Sequence, residues 1–303
     1  MSDRIKSLAF IGFGEAGRIL CRDLLTIGLN DIRAYDIAFS DAKSAQLRDA
    51  RSAGITIAAS TQDAVAGAEV AISAVTAGAD LDVARELART IDRDTFVIDI
   101  NSVAPGTKAV AAELIDAAGG RYIEAAVMAP IPPKGLRTPI LLGGKHAAAF
   151  LARTSTWKLD ARPFSDRIGA ASSVKMCRSI MVKGVEALAL ECALSAHRYG
   201  VVDEVLGSLS NIFPGQEWQQ RVRYLISRAL VHGKRRAEEM REVAKTIEDA
   251  GLEPTMTRST VAVQEWADGL GRALGPESAD GPDLAHMLRE LDEFLRGARD
   301  AAQ

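Results

Sequence analysis

The chain has little of what equips several common protein classes. Its three cysteines, Cys21, Cys177 and Cys192, are odd in number and form no CxxC pair. They sit in helical-looking apolar segments, which excludes a disulfide framework and predicts reduced core thiols. The four histidines, His146, His197, His232 and His286, are scattered without ligand spacing, so no metal is expected. A GxSxG elbow is missing, which removes the common hydrolase nucleophile. No apolar run approaches the eighteen or so residues of a spanning helix, and Met1 to Lys6 leads into a strand pattern without a signal-peptide arrangement. A cytoplasmic protein that does not engage membranes is expected. Aromatics make up 5% of the chain, net charge is only -3, and no basic block is interleaved with aromatics, so nucleic acid is not an expected partner. The run Lys234, Arg235, Arg236 is followed at once by Glu238 and Glu239, which reads as a charge-paired helix surface. What remains is an ordinary globular balance, 48% hydrophobic and 25% charged over 303 residues. A small-molecule partner fits it best.

From residue 6 to about 127, short apolar runs ("SLAFIGF", "DIRAYD", "EVAISAV", "TFVIDIN") alternate with amphipathic stretches. Strands alternating with helices predict βαβ units in a doubly wound parallel sheet, an α/β Rossmann arrangement. After "PILLGG" and "ARPFSD" strand signals vanish. Residues 1–167 are therefore expected to form a dinucleotide-binding domain and 168–303 an all-α domain for substrate and dimerisation. Residues 172–199 read as one long helix whose apolar stripe, Val174, Cys177, Met181, Val185, Leu188 and Cys192, should pack. Further helices are expected near 217–230, 233–250 and 257–272, with Pro214, Gly251, Pro254, Gly275 and Pro276 as breakers.

"FIGFGEAG" places Gly12, Gly14 and Gly17 in GxGxxG spacing between a strand and a helix, and Asp36 follows a second strand about 20 residues further on. Gly12 makes the tight turn, Gly14 admits the pyrophosphate, and Gly17 allows close helix packing; Phe13, Glu15 and Ala16 complete the loop. Asp36 would accept from the adenosine ribose hydroxyls and repel a 2′-phosphate, favouring NAD over NADP, although Arg33 and Lys43 nearby leave room for NADP. Later strand ends put Val75, Thr76 and Asn101 on the cofactor side and Ser102 on the substrate side of the expected cleft. Asn101, Ser102 and Pro105 also fit a helix start.

With this fingerprint, the "DINS" turn from Asp99, the "IEAAVMAP" strand end and the glycine-then-lysine pattern "GAASSVKMCRS", the chain resembles the β-hydroxyacid dehydrogenase family, relatives of 6-phosphogluconate and 3-hydroxyisobutyrate dehydrogenases. The resemblance implies a Rossmann domain, a helical domain shared in a homodimer, and Lys175 as the catalytic lysine. Three departures stand out. Met128, Ala129 and Pro130 replace a Ser-Gly-Gly substrate loop, Ser179 replaces an asparagine, and Glu238, Glu239 and Met240 replace a Lys-Asp-Leu turn. The resemblance therefore implies that acid/base chemistry carries over while substrate recognition is rebuilt.

A lysine beside a dry nicotinamide can take a hydroxyl proton because desolvation and neighbouring cations favour the neutral amine. Lys175 could equally be solvated, since Ser172, Lys175, Ser179, Lys183 and Glu186 share one helix face. Ser179 is a candidate to bind substrate or orient the amine. His232 and Arg235 could reach substrate, with Arg235 as a carboxylate clamp or a surface ion pair. The expected activity is NAD(P)-dependent oxidation of a β-hydroxy acid or related alcohol. Reduction of imines or bulky aromatic ketones, and dinucleotide binding without turnover, are the alternatives.

Overall fold

The computed structural model describes residues 4–275, 279 and 281–300; Pro276, expected as a breaker, lies outside them. The chain divides into two compact units, Met1–Met176 and Cys177–Gln303. The division falls inside a helix that begins just after the expected boundary at 167.

The first unit holds eight strands, β1 (Ser7–Ile11), β2 (Asp31–Tyr35), β3 (Thr56–Ile57), β4 (Val70–Ser73), β5 (Phe96–Asp99), β6 (Arg121–Val127), β7 (Ile140–Gly143) and β8 (Ala161–Ser165), in one sheet ordered β3-β2-β1-β4-β5-β6-β7-β8. Pairing is parallel except between β6 and β7. Among the described residues six α-helices accompany them, besides short 3-10 turns: α1 (Glu15–Thr26), α2 (Ala45–Ala53), α3 (Thr61–Val65), α4 (Asp80–Thr90), α5 (Pro105–Ala117) and α6 (Ala147–Arg153). Helices on both faces explain why β1 and β5 read as continuous apolar runs. Along β1, Leu8 and Phe10 join the core containing Leu20, Leu24 and Phe96, while Ala9 and Ile11 join Leu87 and Ile115 on the opposite face. Strand order reverses between β1 and β4, and at such a switch point the carboxyl ends leave a crevice.

The second unit is built from the rest of α7 (Ala170–Tyr199), with α8 (Val202–Leu209), α9 (Trp218–Asp249), α10 (Thr255–Leu274) and α11 (Leu284–Asp300). Leu190 and Leu194 of α7 share its core with Leu225, Ile226, Leu270 and Leu288. The break expected between 230 and 233 is absent, and α9 runs unbroken for 32 residues. Gly233 is retained there for packing: a methyl on it would lie 2.7 Å from Asp268 N on α10. Among the described residues no helix is long and apolar enough to cross a membrane.

The apolar stripe of α7, for which cover by the helical domain or a dimer partner is expected, is largely left open within one chain. Most of its members point outward: Met181 is 68% and Leu188 56% exposed, and Cys177 and Cys192 are exposed rather than core thiols, while Val185 is half-buried against the core of the second unit. Only Cys21 is buried, and burial pushes its thiol up to about 11. The polar face that carries Lys175, for which solvation is the alternative, is buried at Ser172, Ser179, Lys183 and Glu186.

Candidate dinucleotide and acid/base site

Gly12 has φ +92°, and a side chain there would strike Ala74 O and come within 2.9 Å of Val75. A methyl on Gly17 would lie 2.7 Å from Gly12 O, so both glycines are dictated by close backbone approach. Gly14, by contrast, faces open space, and as N-cap of α1 it offers no side-chain hydrogen bond to the first-turn N–H groups. Open space and unanswered N–H donors at a helix N-terminus fit a pyrophosphate at Gly14, Glu15 and Ala16. Phe13 differs from the expectation. Its ring is buried edge-on against Phe10 and Phe39, and its N–H is spent 2.6 Å from Asp36 Oδ2. Asp36 Oδ1 accepts from Ala38 N at 2.8 Å, so the carboxylate is locked at the end of β2 beside the glycine loop. Two carboxylate oxygens retain further lone pairs for ribose hydroxyls.

Beyond β4, Val75 is half-buried and Thr76 exposed; beyond β5, Ser102 is half-buried and Asn101 buried. Every polar atom of the Asn101 side chain is engaged inside the fold. Its Oδ1 accepts from Val75 N at 2.7 Å, and its Nδ2 donates to Ser73 Oγ at 2.8 Å and Asp80 Oδ1 at 2.6 Å. Asn101 thus braces the Val75–Thr76 loop from beneath.

The helix carrying Lys175 is anchored by a residue the sequence reading missed. Glu124, wholly buried on β6, accepts from Gly169 N and Ala171 N, both at 2.7 Å, and from Ser172 Oγ at 3.2 Å. A carboxylate on the first N–H groups of α7 satisfies orphan donors and matches the positive end of the helix dipole. Gly169 also packs on Pro105, the first residue of α5, whose Cβ is 3.1 Å from where a side chain would begin. The start of α7 is therefore pinned next to the segment following β5, and Lys175 is half-buried six positions beyond Gly169. The lone acid in the apolar run "YIEAAV" was the available signal. Replacing Glu124 with Ala strands two buried N–H groups and is expected to cost about 3 kcal/mol, read by urea denaturation.

Met128 and Ala129 are half-buried and Pro130 exposed, and Met128 N donates to Pro139 O at 2.9 Å. Lys134 and Arg137 are exposed on the following turn, which is tied to α1 where Leu136 N donates to Asp23 Oδ2 at 3.1 Å. That bond makes the turn a fixed part of the first unit.

The NAD-binding domain of 6-phosphogluconate dehydrogenase matches residues 7–150, and a domain of unknown function (DUF1932) matches 196–267. A conserved hypothetical protein from Sinorhizobium meliloti 1021 is 34% identical, with a TM-score of 0.72 over 95% of this chain and 97% of its own. A conserved protein of unknown function, described as structurally similar to 3-hydroxyacid dehydrogenases, is 29% identical, with a TM-score of 0.67 over 88% of this chain and 98% of its own. This chain belongs to the β-hydroxyacid dehydrogenase family, as a divergent member. At 16% identity, a 3-hydroxyisobutyrate dehydrogenase from Mycobacterium tuberculosis shares the fold, with a TM-score of 0.66 over 95% of this chain and 99% of its own.

In this β-hydroxyacid dehydrogenase relative, the remaining candidates belong to a buried ionic network of the second unit. Lys183 Nζ donates to Ser179 Oγ at 2.9 Å and pairs with Glu239 at 2.9 Å. Arg235 also pairs with Glu239, so its charge is already answered, in the manner of an ion pair rather than a free clamp. Arg236 pairs with Glu186, to which Gln264 Nε2 donates at 3.4 Å. Burial raises Glu186 against the opposing pull of Arg236, and burial lowers Arg236. Burial, reinforced by Arg228, Arg235 and Arg236, pushes His232 down to about 4, so at neutral pH it is an uncharged imidazole. Among the described residues no His, Cys, Asp and Glu cluster could hold a metal.

Proposed function

We propose that the chain is an NAD-dependent oxidoreductase acting on the CH–OH group of a β-hydroxy acid or related alcohol, with Lys175 as general acid/base. The observation that carries this reading is the anchored start of α7, which fixes the lysine's helix beside the β5 loop of a dinucleotide-binding domain. A bound nicotinamide supplies the hydride acceptor or donor. Lys175 Nζ removes the hydroxyl proton as the carbinol C–H bond breaks and returns it to the carbonyl oxygen in the reverse direction. Gly14, Glu15 and Ala16 bind the pyrophosphate, and Asn101 keeps the Val75–Thr76 loop in shape. Ser102 and, one turn beyond Lys175, Ser179 are the polar candidates for the substrate, and Met128, Ala129 and Pro130 give its pocket an apolar wall.

The test is dinucleotide reduction against a panel of 3-hydroxy acids. Turnover of any member supports the reading. The apolar Met128–Pro130 stretch favours a second one, reduction of imines or bulky aromatic ketones, and turnover confined to those substrates would select it. Tight dinucleotide binding with no turnover in either panel would leave a binding protein.

Asp36 supports the choice of NAD, since its carboxylate stands where a 2′-phosphate would be repelled, and Arg33, paired with Asp31 and bonded to Ala66 O, is engaged elsewhere. Asp36→Ala is expected to weaken NADH about tenfold, the loss of a charged hydrogen bond, and NADPH less, as measured by fluorescence titration. The outward apolar stripe of α7 is covered in this reading by a second copy of the chain. Met181→Glu should convert a dimer to a monomer in light scattering.

A further inference from the structure

Beneath the two loops of the dinucleotide site lies a polar cluster with no assigned part in the chemistry. Asp80, the first residue of α4, is 2% exposed, and Asp99 at the end of β5 is equally buried. Asp99 is held on three sides: Lys108 Nζ of α5 lies 2.6 Å from its Oδ1, Tyr122 OH of β6 donates to its Oδ2 at 2.7 Å, and Asn101 N donates to Oδ1 at 2.9 Å. Asp80 has fewer partners. Its Oδ1 accepts from Asn101, while its buried Oδ2 has no hydrogen-bond partner among the described residues. Beside it is a hollow of about 10 Å³ lined by Ser73, Asp80, Asp99 and Tyr122 among apolar side chains, room for one water at most.

Charge balance assigns the protonation. The cluster contains two carboxyls and one ammonium, and the next acid, Glu124 on β6, is committed to the start of α7. A second buried carboxylate without a cation is costly, so one of the pair keeps a proton. Asp99 has Lys108 and Tyr122, so the proton stays on Asp80. Burial first, and then the charge of Asp99, raise Asp80 to about 7, against the opposing effects of Lys108 and Asn101. As a neutral acid, Asp80 turns the orphaned Oδ2 into a donor and leaves Oδ1 to receive Asn101.

Ionisation places two like charges together. Asp99 is fixed by its partners, so the strain is relieved by moving Asp80. It follows Thr76 and the short turn Ala77–Ala79 directly, and that movement enters the dinucleotide loop. We propose that Asp80 is a positioning residue of the dinucleotide site: as the neutral acid it holds Asn101 and the Val75–Thr76 loop in the binding shape, and its ionisation loosens dinucleotide binding. The proposal rests on the dinucleotide reading of the glycine loop and makes the site pH-sensitive without contact between Asp80 and the ligand.

The experiment is NADH titration between pH 6 and 9 with wild type, Asp80→Asn and Asp80→Ser, together with melting curves of the unliganded proteins. Asparagine mimics the neutral acid at every pH. Wild-type affinity is expected to fall about fivefold across the range, in keeping with a modest coupling between sites, while Asp80→Asn stays flat at the low-pH value. Asp80→Ser should be weaker but equally flat. Because the folded protein prefers the protonated acid, wild-type stability falls as pH rises from the unfolded range near 4 through about 7. The melting-temperature gap to Asp80→Asn therefore widens toward pH 8. A flat wild-type affinity profile, or variants that follow the wild-type slope, would overturn the proposal. A widening melting gap with no NADH binding by any of the three would overturn the dinucleotide reading and the positioning role with it, yet still identify Asp80 as the buried acid.

Discussion

Lys175→Ala is expected to lower kcat by about a thousandfold, within the range typical of a lost general acid/base, while NADH affinity changes little. The separation follows from where the parts lie. In the proposed site the pyrophosphate is bound by backbone at Gly14, Glu15 and Ala16 and the ribose by Asp36, and none of these groups is the Lys175 side chain. Its helix is held by Glu124 on the backbone N–H groups of Gly169 and Ala171, so truncating Lys175 leaves α7 in place. Lys175→Arg should be as inactive as alanine, because a guanidinium does not give up its proton near neutral pH. Steady-state kinetics paired with NADH titration checks both. Loss of NADH binding together with turnover would mean that the lysine serves the cofactor rather than the proton.

The second large effect is on stability. Arg236→Met is expected to destabilise the second unit by about 3–5 kcal/mol, the cost of removing one partner from a buried ion pair. The substitution leaves Glu186, 2% exposed, facing Gln264 without its guanidinium. Burial already raises Glu186, and losing Arg236 raises it further. A raised carboxyl is stabilised by protonation, so the variant should recover stability as pH falls. Replacing Arg236 and Glu186 together with Met and Leu should restore much of the loss, since no unpaired charge remains. Urea denaturation at two pH values measures all three effects.

The glycine loop was legible because its information is local. A turn that admits only glycine, a strand before it, a helix after it and an acid at the end of β2 lie within one βαβ unit, and the structure joins them through the Asp36 bond to Phe13 N. The burial of the polar face of α7 was not legible for the opposite reason. Periodicity located its apolar stripe correctly, but which face is buried was decided by partners far along the chain, Arg236, Glu239 and Gln264 on α9 and α10. Those partners make a polar face buriable by answering its charges. The break expected between 230 and 233 fails for a related reason: Gly233 lies inside one continuous helix at the point where α10 approaches α9. Glu124 stands as a single acid in an apolar run and Asp80 as one of two acids in the first turn of α4, and only the fold reveals that one caps a helix while the other faces a second carboxyl.

Deuterium on the carbinol carbon tests the central claim most directly. With a labelled 3-hydroxy acid from the panel and NAD, the account predicts that wild type transfers the label to C4 of the nicotinamide, on one face only, and that Lys175→Ala does so about a thousandfold more slowly. A protein that binds the dinucleotide yet transfers no label from any hydroxy acid, or that transfers it as fast without Lys175, would contradict the account.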